Sequence, residues 1–331
     1  MDVRIVNSIE EAYGLGVPEQ TLSPFYQREW LRGYEAAGLG GARAFYFCVD
    51  EGSGLAVVPA YEVVDGDPLG GVQLAPGTLM SHAWHCYQSV IPGREKGAVL
   101  AAVLAATKEI GRGFCLCNVD GDTHSCCMAA APDQTRPMQP RYAIDLNRYA
   151  NLEELIADRT RNLRSSFWRH MKKAKAGGVQ FVAKPMRDAD IEPIARICAV
   201  LAARHGTPWY YELERFSKLL NHLKADESCI TFTLSVGDSI LAASVAFEVS
   251  GCLHLWAGGA AADASCTHFS ASTALLGFEL RSAFELGCRR VEAGRSNGDY
   301  KCRFGFQPVP LNAYYWDFDG AVRPLAANGG P

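Results

Sequence analysis

A pattern of elements runs through this chain twice. The first copy opens at Pro24-Phe25-Tyr26, continues through the helical REWLRGYEAAG, and enters ARAFYFCVD, the turn EGSG and LAVVPAYEVV. The second opens at Pro208-Trp209-Tyr210, runs through LERFSKLLNHLK, and enters CITFTLSV, the turn GDS and ILAASVAFEV. Each copy then adds a helix and a strand, EKGAVLAAVLAATKEIG with GFCLCNVDGD in the first and SASTALLGFELRSAFELG with CRRVEAGRSNGD in the second. Apolar residues spaced by three and four mark the helices, and β-branched and aromatic runs closed by Gly, Asp and Ser mark the strands. An order of elements met twice is the signature of a duplicated unit. The expectation is an α/β protein of two similar domains, each a mixed β-sheet flanked by helices.

Length agrees with that reading, since 331 residues at 48% hydrophobic content suffice for two cores. The stretch Ala129 to Pro140, AAAPDQTRPMQP, reads as a connecting loop, which places the domains at residues 1–145 and 146–331. LAANGGP at the C-terminal end reads as a frayed tail. The N-terminal residues show no basic start leading into an apolar core, and the longest apolar run, Ala98 to Ala106, is far below the roughly 20 residues of a membrane helix. Twelve cysteines in a chain of this size fit a reducing compartment, so the expectation is a cytoplasmic protein without a membrane span. His82, His85 and Cys86, with Cys115, Cys117, Cys126 and Cys127, lack the paired spacing of a zinc knuckle. The cysteines read as buried thiols and no metal is expected. Trp84 and Tyr87 lie in a stretch with no firm match. No phosphate loop of the Walker or dinucleotide type occurs, so no tightly bound cofactor is expected.

A formal charge of -4 excludes a general basic coat, and any polyanion site must be local. Between Asp158 and Val179, Arg159, Arg161, Arg164, Arg169, Lys172, Lys173 and Lys175 face a single acid, Asp158. Leu163, Phe167, Met171 and Ala174 recur at helical spacing and form an apolar face, and Gly177-Gly178 supplies the stop. A solvated face favoured by the helix dipole accounts for such a pattern. A phosphate-binding stripe of Arg161, Arg164, Arg169, Lys172, Lys173 and Lys175 accounts for it as well, and the cation excess is more than salt-bridge patterning requires.

The second-copy strand CRRVEA leads into Gly294-Arg295-Ser296-Asn297-Gly298-Asp299-Tyr300-Lys301-Cys302-Arg303-Phe304-Gly305-Phe306-Gln307-Pro308. This segment resembles the C-terminal signature of the Fem-like aminoacyltransferases and the related GNAT-fold acyltransferases. There an apolar-Asp-apolar-Gly-Arg-Ser run is followed by a Gly-x-Tyr turn, a Lys and an aromatic-Gly-aromatic-x-Pro close. MKKAKAGGV and RHGTPWY are similar to two further elements of the group, and SPFYQREWL and LAVVPAY carry the likeness weakly into the first half. The resemblance implies two tandem GNAT-like domains, the second holding the active site. It also implies an acyltransferase that moves an aminoacyl group from aminoacyl-tRNA onto a small-molecule or peptide amine, forming an amide bond.

Acyl-CoA is the alternative donor, and a non-catalytic RNA- or nucleotide-binding module of the same fold is a third reading. Where CoA-using relatives carry [RQ]-x-x-G-x-[GA] this chain reads SCTHFSAS, and the basic helix suits a charged tRNA. On the resemblance, Lys301, Arg295 and Glu292 are the catalytic candidates. Lys301 and Arg295 are aimed at the donor's carbonyl or phosphate, and Glu292, where relatives carry Asp, at the amine's proton. Ser296, Asp299, Tyr300, Trp256, His254, His205 and Thr207 are candidates for substrate contact. Against these stand ordinary roles: turn charges paired with Asp299 or Glu292, Glu292 as the ion-pair partner of Arg289 or Arg290, and strand His and Trp packed in a core.

Overall fold

The structure is a computed structural model, and it describes residues 1–18, 23–38, 43–62, 74, 77–81, 85–261 and 268–317. His82, Trp84, Ser265 to Thr267 and the LAANGGP tail lie outside the described residues. The chain forms two compact units, one of Met1–Arg141 with Val309–Pro331 and one of Tyr142–Pro308.

Unit 1 contains β1 (Val3–Val6), α1 (Ile9–Gly14), α2 (Arg28–Ala37), β2 (Arg43–Asp50), β3 (Leu55–Glu62), β4 (Leu79–Met80), α3 (Lys96–Glu109), β5 (Phe114–Val119) and α4 (Gly121–Ala129). β6 (Gln134–Asp145) leads out of it. Unit 2 contains α5 (Leu152–Ala157), α6 (Arg161–Ala176), β7 (Gln180–Pro185), α7 (Ile191–Arg204), α8 (Leu213–His222), β8 (Cys229–Val236) and β9 (Ser239–Val249). It continues with β10 (Cys252–Ala260), α9 (Ala271–Glu285), β11 (Arg290–Glu292) and α10 (Gly298–Arg303), and β12 (Gln307–Trp316) ends the described chain.

The duplication seen in the sequence is a duplication of topology. Unit 1 orders its strands β1-β2-β3-β4-β5-β12, and unit 2 orders its own β7-β8-β9-β10-β11-β6. In each the fourth and fifth strands, β4 with β5 and β10 with β11, run parallel, while the hairpins before them are antiparallel. β2 and β3 read as continuous apolar runs because their six central residues are all buried, the pattern of strands covered on both faces. Gly237, in the left-handed region at φ 56°, turns β8 into β9 and explains the glycine there.

The sixth strand of each sheet departs from the sequence reading in two ways. The Ala129–Pro140 stretch is no loop beyond Asp133, because Gln134–Asp145 is a strand. Its prolines fit because a φ near −65° suits an extended chain, and proline disturbs a strand only where an N–H is needed. The alternation of Met138, Tyr142 and Ile144 against exposed Thr135, Pro137 and Gln139 was a strand signal masked by proline. The second departure is the domain boundary. Residues 146–331 do not form one unit: Val309 onward belongs to unit 1, where Asn312 to Trp316 pair antiparallel with β5, and the end of β6 instead completes unit 2.

In unit 2, α6 packs on α9. The Thr160 hydroxyl caps α6 by accepting from the Leu163 N–H, and Ser270 caps α9 by accepting from Thr273. Phe167 and Ala174 are buried, with Leu163 and Met171 packed against the same core, so the apolar stripe read from spacing is the face that docks. The helices meet at Gly277, where an added Cβ would stand 2.9 Å from both Phe167 and Met171. Among the described residues no helix is long and apolar enough to cross a membrane.

Candidate active site in the second unit

The two parallel strand pairs end differently. In unit 1 the chain after β4 covers the pair again: the Ser81 N–H donates to the Cys115 carbonyl at 2.9 Å, the Cys117 N–H to the Ser81 hydroxyl at 3.1 Å, and the Ser89 N–H to the Asn118 carbonyl at 3.0 Å. In unit 2 the ladder holds only three pairs, ending at His254 opposite Glu292, while β10 continues to Ala260. No strand pairs with that side of β10 past His254 among the described residues. At the same point the β9–β10 register slips between Leu255 and Ala257, leaving Trp256 as a bulge. An open strand edge beside a bulge is how a sheet exposes backbone and side chains to a ligand.

The Gly-Arg-Ser segment lies at that opening. Gly294 (φ 64°), Ser296 (φ 65°) and Asn297 (φ 50°) all adopt the left-handed region, which only glycine enters without strain. The turn is pinned to β6, for the Tyr142 N–H donates to the Gly294 carbonyl at 3.0 Å and the Ala293 N–H to the Tyr142 carbonyl at 2.8 Å. Strain held by the surrounding structure is a mark of functional turns. Lys301, one turn into α10, folds back over the segment. Its Nζ donates to the carbonyls of Arg295 at 2.6 Å and Gly294 at 3.2 Å and lies 5.3 Å from the centre of the Tyr142 ring. No carboxylate pairs with it among the described residues, and burial pulls its pKa down to about 7.

Gly298 makes this arrangement possible, because a Cβ there would overlap the Tyr142 hydroxyl. Gly298→Ala should therefore push the Tyr142 ring from beside Lys301 and cost about 1–3 kcal/mol, read as a lower denaturant midpoint at unchanged slope.

The other candidates take distinct places. Glu292 is buried and accepts from Arg290 through Nε at 2.7 Å and Nη2 at 2.6 Å, so the ion-pair role is occupied. Arg295 is buried, within electrostatic reach of Tyr211. Ser296 and Asp299 are exposed, and Tyr300 is half-buried with its hydroxyl enclosed beside Thr273 of α9. His254 is buried on β10 opposite Glu292, and Trp256 packs against Phe216 at 5.5 Å and Phe247 at 5.8 Å between ring centres. Thus Glu292, His254, Trp256, Arg295 and Lys301 gather around the end of the parallel pair. His205 and Thr207 do not join them through any contact shown: both close α7, where the Thr207 hydroxyl donates to the Ala202 carbonyl at 3.3 Å and His205 is exposed.

On α6, Arg161, Arg169, Lys172, Lys173 and Lys175 are exposed and have no carboxylate partner among the described residues. Arg164 is partly committed, donating to the Ala157 carbonyl at 2.7 Å. Arg159 is held by Tyr149 and Asp158 ahead of the helix. His170, between Arg169 and Met171, accepts through Nδ1 from the Ser270 N–H at 3.0 Å. Burial holds its pKa below the ordinary value, with Arg169 and Lys173 adding to the effect. Tyr142 and His170 were missed by sequence reasoning, since neither has a local signal for a partner so distant in the chain.

Comparison with known proteins agrees with this geometry. Residues 161–302 match the family model described as Acetyltransferase (GNAT) domain. No curated protein sequence matches the chain. Among solved structures, FemX superposes with a TM-score of 0.61 at 11% identity, covering 94% of this chain and 97% of its own. The C-terminal domain of a protein assigned as a lysylphosphatidylglycerol synthetase from Agrobacterium fabrum gives 0.60 at 11% identity, with 95% and 92% covered. A tandem GNAT protein from the clavulanic acid biosynthesis pathway gives 0.51 at 13% identity, with 100% and 99% covered. The repeated sheet order and these shared folds show a tandem GNAT-like fold, with residues 161–302 of the second unit matching the GNAT domain.

Proposed function

We propose that unit 2 transfers an aminoacyl group from aminoacyl-tRNA to an amine acceptor. The observation that carries this reading is the face of α6, where five exposed cations without carboxylate partners among the described residues lie in the same unit as the enclosed Lys301. A polyphosphate donor needs such a stripe, and a chain whose overall formal charge is -4 offers no general basic coat in its place. FemX and the lysylphosphatidylglycerol synthetase domain share the fold, and the latter's name specifies an aminoacyl group.

The amine attacks the ester carbonyl, a C–N bond forms, the C–O bond to the tRNA 3′ end breaks, and the amine's proton ends on the departing hydroxyl. Charge develops on the carbonyl oxygen at the tetrahedral stage. Cationic Lys301 has three N–H donors, of which the carbonyls of Gly294 and Arg295 take two, so the third is left for that oxygen. Arg295 is the second candidate for the donor's carbonyl or phosphate. Glu292 serves by aiming Arg290 and the strand end, with a role as proton acceptor second to that.

Acyl-CoA remains the second donor. Against it, one backbone donor at the start of α9, the Ser270 N–H, is already used by His170, where CoA-using relatives present free N–H groups to a pyrophosphate. The deciding experiment supplies mixed charged tRNAs with a panel of amines and follows products by mass spectrometry. Product should vanish after RNase treatment. Product that survives RNase and requires acyl-CoA assigns the other donor, and tRNA binding with no turnover under any condition assigns a binding module.

A further inference from the structure

Midway along α9, in ASTALLGFELRSAFE, Glu279 turns into the apolar core of unit 2 and is only 5% exposed. None of the ion pairs among the described residues involves it, and its hydrogen-bond partner there is the hydroxyl of Ser244 on β9, which donates to Oε1. Taking a carboxyl from water with a single hydroxyl for company costs several kcal/mol. A plain core position in this helix would hold leucine or alanine, as its neighbours do. The place of Glu279 is therefore informative. Ser244 stands opposite Gly258 on β10, and the strands are so close that a Cβ on Gly258 would lie 2.5 Å from the Ser244 Cβ. Gly258 belongs to the stretch of β10 that has lost its parallel partner, two residues past the Trp256 bulge. Tyr300 of α10 lies within electrostatic reach of Glu279, with its buried hydroxyl beside Thr273, about two turns before Glu279 on α9.

We propose that Glu279 is a positioning residue of the second-unit site, holding Ser244 and through it the open Gly258 stretch of β10, with its charge felt at Tyr300. Its effect on rate rests on the transfer reading above, whereas its hold on β10 does not. Burial pushes the Glu279 carboxyl up to about 7, with the Ser244 hydrogen bond opposing the rise, so its charge changes in the neutral range. The groups facing it are Ser244 from β9 and Tyr300 from α10. α6 presents Phe167 and Met171 at Gly277, and β8 presents Phe232 to the neighbouring Phe278. Lys301, next to Tyr300, changes charge over the same range and must be separated from it.

The test follows backbone amide NMR signals of Ser244, Gly258 and Tyr300 from pH 5.5 to 8.5 in the full chain. In the unaltered protein the three should shift together with one midpoint about 7. Glu279→Gln, which keeps an acceptor for Ser244, should remove that step, while Lys301→Ala should leave it at Ser244 and Gly258. Ser244→Ala should move the midpoint to higher pH, because the charged carboxylate loses the hydrogen bond that favours it. A step that persists in Glu279→Gln, or is absent from the unaltered protein, overturns the proposal. In turnover assays Glu279→Gln should keep KM and lower kcat by about 10-fold, the size of effect seen for residues acting through others. If no donor supports turnover while the NMR step and its loss are both observed, the transfer reading fails and the positioning role stands.

Discussion

Lys301→Ala should lower kcat by about 100-fold with little change in the affinity for charged tRNA, since removing one oxyanion donor costs on the order of 3 kcal/mol. The effect falls on kcat because the N–H that remains after Gly294 and Arg295 are satisfied meets an oxygen that is strongly charged only in the transition state. The pH dependence sharpens the assignment. Burial places the Lys301 pKa at about 7, so the ammonium is lost as pH rises through 7, and a rate that needs it should fall there. A rate that instead rises through 7 would assign Lys301 the opposite task, a neutral amine taking the proton of the acceptor.

Stability should move the other way. The unfolded chain keeps its proton to about 10.5, so between 7 and 10.5 it binds more protons than the folded one, and the stability penalty of burying Lys301 is relieved as pH rises through that window. Lys301→Met, which retains the stem and discards the charge, should raise the melting temperature at pH 6, with the advantage shrinking toward pH 9. A residue that makes the fold less stable at the pH where it would act is what a working site requires. A melting temperature that drops at every pH would make Lys301 a structural contact.

The repeat carried most of the fold because its signals are local. β2, β3, β8 and β9 are runs whose patterning is complete within eight to eleven residues, and each hairpin turn announces itself by glycine. What the repeat concealed is which sheet receives the sixth strand. β6 and β12 carry their own alternation, yet their partners are chosen by packing far away in the chain, and Pro137, Pro140, Pro308 and Pro310 argue locally for a loop. The site divides the same way. Lys301 and Arg295 are legible as candidates because they sit in one contiguous motif, whereas Tyr142 reaches Lys301 from β6 and His170 reaches Ser270 from α6. Glu279 was hidden for a different reason. In an apolar helix a single Glu reads as an exposed position, and only the fold shows it facing Ser244. His205 and Thr207 are the converse case, for the motif names residues whose contacts in the structure close α7.

Replacing Lys172, Lys173 and Lys175 together by alanine should weaken binding of charged tRNA by about two orders of magnitude near 0.1 M salt, and reduce the slope of log affinity against log salt by about 2 to 3. Each phosphate contact releases counterions, so three lost contacts act multiplicatively and hardly depend on tRNA sequence. The variant isolates electrostatics from folding. All three side chains are exposed on α6, outside the Phe167 and Ala174 packing face, and alanine favours a helix, so stability should stay within about 0.5 kcal/mol. Arg159 and Arg164 are poor choices for the same purpose, because they tie down Tyr149, Asp158 and the Ala157 carbonyl at the start of α6. If the triple variant binds tRNA with an unchanged salt slope, the cations are a solvated face and the donor contacts another surface. If tRNA binding is lost while transfer from acyl-CoA is kept, the stripe binds RNA for a purpose other than supplying the acyl group.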